Sequence, residues 1–215
     1  MKILILVLTY LDDNIYSKFY ETQRKTWDSI DVKGVDTFYN INGGDKKEIK
    51  GNLIINDLPE TVSNEGYKII NCFNQTLDWD YDYIYHTNSS SYVDKKLLYE
   101  WLLDKPRTNF YSGVKGSYQG YPFSSGCGFT ISKDIVKLIL EHQDNWSHGD
   151  ADDATLGILL HGLGINVYEA PRFDVIDYEG EIPNNFFHYR CKTNNRELDI
   201  NNLIRIHNSK LSNII

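Results

Sequence analysis

Residues 121–132 read YPFSSGCGFTIS, and residues 150–157 read DADDATLG. In the first stretch, one small residue separates Gly126 from Gly128, which lets the backbone approach a ligand or adopt dihedral angles closed to other residues. A tight turn without a ligand would explain the same pattern. No strand is predicted for residues 115–128. Together the two stretches predict an active site in which a closely approaching backbone meets a cluster of carboxylates.

The acidic stretch begins a predicted helix, where carboxylates face the positive end of the helix dipole. Capping by Asp150 and interaction with the dipole account for one or two of the three aspartates Asp150, Asp152 and Asp153. Asp153 is followed by the small residues Thr155 and Gly157, which leave room beside it. An ionised carboxylate beside an open space is a candidate general base.

The rest of the chain alternates between strand and helix patterns. Apolar runs with the length of buried strands recur at residues 2–9, 36–41, 52–56, 82–86 and 109–114. Helices are predicted at 14–27, from 63 or 65 onward, after Asp94, after the cap Ser132, from about 151 to 161 (ending at Gly162 or Gly164 before a strand at 165–168) and, briefly, at 200–206. The alternation predicts an α/β fold, with a mostly parallel central sheet flanked by helices.

Composition limits the classes of function. The chain has 215 residues, a net charge of −8 and 41% hydrophobic residues, which predicts one globular domain and no nucleic-acid partner. Its three cysteines are far apart and suggest neither a disulfide framework nor a metal-ligand spacing. The apolar run at 3–8 is too short for a signal peptide or a membrane span, so we expect a cytoplasmic protein.

Two polar segments are further candidates for a site. Residues 86–94 follow a predicted buried strand, and ligands bind at the carboxyl ends of strands in open α/β sheets. A serine-rich loop without function would look the same. His188 lies between aromatic residues and the cations Arg190 and Lys192, so it is either a packed core histidine or a ligand of a metal or phosphate.

In order and spacing, these segments resemble the glycosyltransferases of the β-1,3-galactosyltransferase and fringe group, which have the GT-A fold. Residues 24–27 are similar to the family's Arg-x-Thr-Trp, and residues 65–67 to its Glu-x-Tyr segment. Residues 83–93 align with the strand and loop that carry its Asp-x-Asp motif. Residues 121–132 resemble its Tyr-Pro-x-x-x-Ser-Gly-x-Gly-x-x-x-Ser, and residues 152–157 are similar to the fringe Asp-Asp-x-Thr-x-Gly.

The resemblance covers roughly residues 1–170 and implies inverting transfer of a sugar from a nucleotide sugar, most often a UDP-sugar, to a hydroxyl of a glycan or protein acceptor. It implies a single GT-A-like, Rossmann-like domain over 1–215, with a nucleotide-binding half at about 1–115 and an acceptor and catalytic half at about 116–215. Asp153 aligns with the catalytic base, and Asp152 lies beside it. The other residues implied are Thr9, Arg24, Trp27, Thr87, Asn88, Ser90, Arg190 and Lys192 for the donor, and Ser125, Gly126 and Gly128 for the sugar or acceptor.

One departure concerns the metal. Where the family has Asp-x-Asp, whose acids hold Mn²⁺ or Mg²⁺ against the diphosphate, this chain has Asn88, Ser89 and Ser90, which supply little charge. Three outcomes are open: a metal held by His188, the diphosphate and water; cations such as Arg190 and Lys192 in the metal's place; or a chain that binds the nucleotide poorly and does not catalyse.

Three functions therefore remain: an active glycosyltransferase, a non-catalytic module that binds a nucleotide or glycan, and a hydrolase that uses the acidic cluster at 150–153 with a metal. The transferase accounts for the most motifs. The sequence does not name the sugar or acceptor, which depend on the loops at 42–60, 115–124 and 178–188.

Overall fold

A computed structural model describes residues 1–11, 14–148, 151–176 and 178–212. The strands are β1 (Ile3–Leu8), β2 (Val35–Ile41), β3 (Glu48–Lys50), β4 (Leu53–Ile55), β5 (Tyr83–Asn88), β6 (Ser91–Val93), β7 (Tyr111–Tyr118), β8 (Tyr121–Ser132), β9 (Val167–Glu169), β10 (Phe173–Asp174) and β11 (His188–Arg190). The α-helices are α1 (Asn14–Lys25), α2 (Glu65–Thr76), α3 (Lys95–Leu102), α4 (Lys133–Glu141), α5 (Asp152–Gly162) and α6 (Arg196–Ser212).

Eight strands form the main sheet, in the order β3-β4-β2-β1-β5-β8-β7-β9. β1 runs parallel to both β2 and β5, whereas β8 is antiparallel to β5 and β7. Leu8 pairs with Asn88, so β1 and β5 end at the same edge of the sheet. The predicted α/β fold, with a mixed and mostly parallel central sheet, is confirmed.

The sheet separates two hydrophobic cores. Side chains alternate across a strand, so Ile5 and Val7 of β1 join the core beneath α1, α3 and α6, whereas Leu4 and Leu6 join the core beneath α2, α4 and α5. This arrangement explains why β1 is an unbroken apolar run. Among the described residues, we find no helix with the length and hydrophobicity that crossing a bilayer requires.

A smaller sheet, in the order β10-β11-β6, lies beside the end of β5. β6 begins after the turn that ends β5, and β11 pairs antiparallel with it, with Arg190 opposite Ser91. This pairing brings residues from the C-terminal part of the chain to the edge where β1 and β5 end. Sequence analysis predicted neither β10 nor β11.

Three local predictions need correction. Residues 121–132, for which no strand was predicted up to 128, form the long strand β8. The helix predicted at 200–206 extends over Arg196–Ser212. Ser132 precedes α4 but does not cap it, because its hydroxyl accepts the N–H of Phe110 at 3.0 Å.

The helix predicted after Asp94 is α3, and Asp94 caps it, since its carboxylate accepts the N–H of Leu97 at 3.0 Å. The cap predicted at Asp150 lies outside the described residues. The residue before α5 in the structure is Ala151, whose side chain makes no capping hydrogen bond.

The contact between α5 and β8 predicts that one added methyl group at Gly157 lowers the stability of the fold. A Cβ atom at Gly157 would lie 2.7 Å from Cα of Phe123 and 2.8 Å from O of Pro122, so backbone would have to move. We expect Gly157→Ala to lower the free energy of unfolding by about 1–3 kcal/mol in urea denaturation. Gly162→Ala, in the same helix but with no atom within 4 Å, should leave it unchanged or raise it slightly. Equal urea midpoints for Gly157→Ala and the wild type would contradict this packing.

Candidate active site

A cavity of about 690 Å³ opens at the edge where β1 and β5 end, between β8, the first turn of α5 and the segment after β11. Its lining includes many of the residues predicted for the site: Thr9, Asn88, Ser90, Ser125, Gly126, Asp152, Asp153, Arg190 and Lys192. Five predicted residues are not part of this lining: Arg24, Trp27, Thr87, Gly128 and His188. Distant parts of the sequence therefore meet in one cavity of a size suited to a small-molecule ligand.

Asp153 is held at the cavity by backbone donors. The N–H of Gly126 donates to Oδ2 at 2.7 Å, and the N–H of Ala154 donates to Oδ1 at 2.9 Å. A Cβ atom at Gly126 would lie 3.0 Å from Cβ of Asp153, so glycine is what lets β8 approach the carboxylate. Each carboxylate oxygen keeps capacity for another hydrogen bond.

Asp152 belongs to a wall of carboxylates on the same side. Its Oδ1 lies 3.2 Å from Nδ1 of His148, and burial raises its pKa against the opposing effect of His148. Burial, together with the charge of Asp152, also raises the pKa of Glu65. Glu60 and Glu65 line the cavity as well. We call Glu60, Glu65, Asp152 and Asp153 the acidic wall.

Lys68 and His148 support the acidic wall, and sequence analysis missed both. The buried ammonium of Lys68 donates to O of Thr9 at 2.6 Å and to Oε2 of Glu60 at 2.9 Å. Its pKa is lowered by burial, which Glu60 opposes. The Nε2 atom of His148 is buried and has no hydrogen-bond partner in the structure. Sequence analysis did not examine these pairs, although His148 and Asp152 are four residues apart and Lys68 and Glu60 eight, and only the contact of Lys68 with Thr9 is distant in sequence.

The turn after β5 is fixed by neutral groups. Oδ1 of Asn88 accepts hydrogen bonds from the N–H of Ser90 at 3.2 Å, from the hydroxyl of Ser90 at 3.3 Å and from the hydroxyl of Ser91 at 3.3 Å. The buried amide of Gln23, on α1, donates to O of Asn88, Ser89 and Ser91. Gln23 was also missed by sequence analysis. The carboxamide oxygen that replaces the family's acid is therefore used inside the turn.

Four of the five residues outside the cavity lining have structural roles. Trp27 is 1% exposed in the core, and the guanidinium of Arg24 pairs with Asp28 at 3.0 Å, so neither side chain lines the cavity and their contacts with a nucleotide stay predictions. The hydroxyl of Thr87 donates to O of Cys127 at 2.7 Å, behind the cavity wall. At Gly128, a Cβ atom would lie 2.6 Å from Oη of Tyr85, so this glycine permits close packing of the strand against that side chain.

Sequence analysis left two interpretations of His188, a packed core histidine or a ligand, and in the structure it is a packed core histidine. It is 2% exposed, with Nε2 3.1 Å from Oγ of Ser91. Burial, followed by the charges of Arg172 and Arg190, lowers its pKa to about 3. Among the described residues, no group of three or more His, Cys, Asp or Glu side chains could hold a metal ion. Together with the turn at Asn88, this donor set does not fit the metal site that the family resemblance implies.

Another part of the cavity lining carries positive charge. It consists of Arg190 at the end of β11, Lys192 and Arg196 at the start of α6, which we call the basic wall. The guanidinium of Arg196 lies 4.6 Å from the ring centre of Phe19 and pairs with Asp199 at 2.5 Å. Arg196 lies outside the motifs that carry the family resemblance, so no sequence signal pointed to it.

The buried His188 predicts a pH effect on stability. Its native pKa of about 3 lies below the unfolded value of about 6.5, so on acidification the unfolded chain takes up a proton first and stability falls. We expect His188→Gln to reduce the slope of unfolding free energy against pH, between about pH 4 and 5.5, by about 1 kcal/mol per pH unit. Urea denaturation across this range measures it. Exposed His161, changed to Gln, is the control, and an unchanged slope for His188→Gln would show that the buried imidazole does not remain neutral.

Comparisons with known proteins connect this geometry to a class of enzymes. No protein-family model matches the chain. It is 23% identical over 145 residues to human UDP-GalNAc:beta-1,3-N-acetylgalactosaminyltransferase 2, and 25% identical over 148 residues to human UDP-GalNAc:beta-1,3-N-acetylgalactosaminyltransferase 1. Each match covers 58% of this chain, but 29% of the first relative and 45% of the second. The chain thus spans less than half the length of these relatives.

Two solved structures share the fold. A glycosyltransferase involved in the glycosylation of the major capsid of PBCV-1 superposes with a TM-score of 0.59 at 12% identity, covering 95% of this chain and 100% of that one. Galactosyltransferase LgtC, in complex with donor and acceptor sugar analogs, gives a TM-score of 0.52 at 12% identity, covering 97% and 96%. The chain therefore has the GT-A fold of these two glycosyltransferases, and the GT-A fold expected from the sequence is confirmed.

Proposed function

We propose that the chain transfers a sugar from a nucleotide sugar to an acceptor hydroxyl, with Asp153 as the general base. The observation that carries the proposal is the carboxylate of Asp153, oriented in the cavity by the N–H groups of Gly126 and Ala154. A base must lie within hydrogen-bonding reach of the proton it accepts, and it must be held in place. Asp153 and the basic wall line the same cavity, so that cavity can bind both an acceptor and a diphosphate.

The donor in this proposal is a UDP-sugar, as in the names of the human relatives. Thr9 and the tyrosines Tyr10 and Tyr16 line the cavity at the end of β1. Tyrosine offers an apolar face for a base and a hydroxyl for a hydrogen bond. We assign the nucleoside to this end, the diphosphate to the basic wall and the acceptor to the acidic wall.

The proposed reaction is a single displacement. The acceptor oxygen forms a bond to the anomeric carbon while its proton passes to Asp153, and the bond from that carbon to the phosphate oxygen breaks. The leaving nucleoside diphosphate takes the bonding electrons, and the configuration at the anomeric carbon is inverted. The residues of the chain bind and orient the two substrates, and Asp153 accepts the proton. The largest electrostatic task is to stabilise the departing phosphate oxygen.

The neutral turn at Asn88, Ser89 and Ser90 favours a second candidate, a module that binds a nucleotide without catalysing transfer. The two candidates differ in one measurement. An enzyme releases nucleoside diphosphate faster when an acceptor is added, whereas a binding module releases none.

Removal of the base should abolish turnover but preserve binding. We expect Asp153→Asn to lower kcat by about 10²–10⁴-fold, because the amide does not accept the proton. The assay measures UDP release from a panel of UDP-hexoses and UDP-N-acetylhexosamines, with and without simple glycoside acceptors, and calorimetry measures UDP binding. Asp144→Asn, at an exposed aspartate, is the matched control. Wild-type turnover by Asp153→Asn would exclude this role.

The support of the base can be tested separately. In Gly126→Ala, the added Cβ atom would lie 3.1 Å from Oδ2 of Asp153 and would displace the carboxylate or the strand. Displacing the carboxylate from its position should lower kcat by up to about 10²-fold with little change in UDP affinity. Gly162→Ala adds the same atom where no neighbour lies within 4 Å, so its kcat should not change. Unaltered kcat for Gly126→Ala would show that the position of Asp153 is not limiting.

A further inference from the structure

We propose that the negative charge of the leaving diphosphate is neutralised by Arg190, Lys192 and Arg196, without a divalent metal ion at the turn after β5. This inference rests on the proposed function and names the chemistry of its donor site. It is carried by three observations: the state of the turn, the partners of the acidic wall, and the position and charge of the basic wall.

The turn offers no free anionic ligand. Its three side chains are neutral, and Oδ1 of Asn88 already accepts three hydrogen bonds. The hydroxyl of Ser89 donates to Oγ1 of Thr9 at 2.9 Å. Mn²⁺ and Mg²⁺ prefer oxygen ligands, usually with charged carboxylates among them. A metal here would have to break the contacts that form the turn and would gain no opposite charge.

The carboxylates of the acidic wall do not fill this gap. Glu60 pairs with Lys68, Asp152 pairs with His148, and Asp153 accepts two backbone N–H groups. These carboxylates line the same cavity, yet the described residues contain no set of three metal-ligating side chains. Three of the four acids thus have a protein partner in place of a metal, and the fourth, Glu65, does not complete a set of three metal-ligating side chains among the described residues.

A backbone hydrogen bond brings the basic wall to the turn. The N–H of Cys191 donates to O of Ser90 at 2.8 Å. Arg190 and Lys192 flank Cys191 in sequence, so both are held beside the turn at which the family's metal would lie. Arg196 begins the helix that follows and lines the same cavity.

Two groups of the basic wall have unused donors. The Nε atoms of Arg190 and Arg196 are buried and have no hydrogen-bond partner in the structure. Lys192 is exposed and forms no ion pair with the described residues. Guanidinium groups bind phosphate through paired N–H donors, and such charge-assisted bonds are stronger than neutral ones. Lys192 therefore offers its ammonium to an entering anion, and Arg190 and Arg196 line the same cavity.

The region around the basic wall carries an excess of positive charge. Four cations lie at or directly behind the basic wall, and two carboxylates pair with them. They are Arg172, Arg190, Lys192 and Arg196, with Asp174 and Asp199. Two positive charges remain in excess around the basic wall, whereas the four carboxylates of the acidic wall face one cation of the lining, Lys68.

The experiment is a calorimetric titration of the whole chain with UDP, once in EDTA and once with Mn²⁺. We expect similar affinity in both, and binding about tenfold or more weaker in EDTA for Arg190→Gln and Lys192→Gln. Arg196→Lys, which retains a cation for the buried Asp199, should bind more tightly than Arg196→Gln. Lys25→Gln, at an exposed lysine of α1, is the matched control and should bind as the wild type does.

The outcomes separate the two proposals. Binding only with Mn²⁺, or variants that bind in EDTA as tightly as the wild type, would overturn the metal-free diphosphate site and leave the transferase proposal intact. Absence of UDP binding in both conditions would overturn both. Circular dichroism of each variant excludes loss of folding as the cause of weak binding. Because Lys192 is exposed, Lys192→Gln should affect stability least.

Discussion

The close approach of β8 to the first turn of α5 is the contact on which the rest of the site depends. Gly157 lets the helix lie against the backbone at Phe123, and Gly126 lets the strand reach the carboxylate of Asp153. Because the donors to this carboxylate are backbone N–H groups, its orientation is set by the fold and not by another mobile side chain. The same helix keeps Leu156, Leu159 and other apolar residues in the core, so the base is fixed to one of the two hydrophobic clusters.

β8 also helps to position the turn after β5 and, through it, the basic wall. The carbonyl of Cys127 accepts the hydroxyls of Thr87 and Ser91, which join the strand to the turn after β5. The carbonyl of Ser90 in that turn accepts the N–H of Cys191, which positions the basic wall. Acidic and basic walls are thus connected through main-chain groups of one strand and one turn. Substitutions of charged side chains should therefore change the chemistry of the cavity more than its shape.

Much of the architecture could be predicted from sequence, and the errors have physical causes. The apolar runs of β1 and β5 report burial on both faces of a parallel sheet, so they were recognised, and the less buried β2 and β4 were recognised as well. β8 was missed because its small residues are selected by close neighbours and not by hydrophobic alternation. In α6, the buried Asp199 and Asn202 interrupt the apolar pattern, so only its centre was predicted. Trp27 matches a family motif but packs in the core, and Gln23 acts through contacts with residues far along the chain, which no local pattern contains.

The acidic and basic walls favour the movement of negative charge that the proposed reaction requires. During transfer, a proton moves to Asp153, and negative charge leaves the acidic wall and appears on the diphosphate. Burial and mutual repulsion already raise the pKa of Glu65 and Asp152, so another negative charge on this side is unfavourable. The departing charge develops instead beside fixed cations, which need little reorganisation during the reaction. Proton acceptance and leaving-group departure therefore both move charge from the wall that repels it to the wall that attracts it.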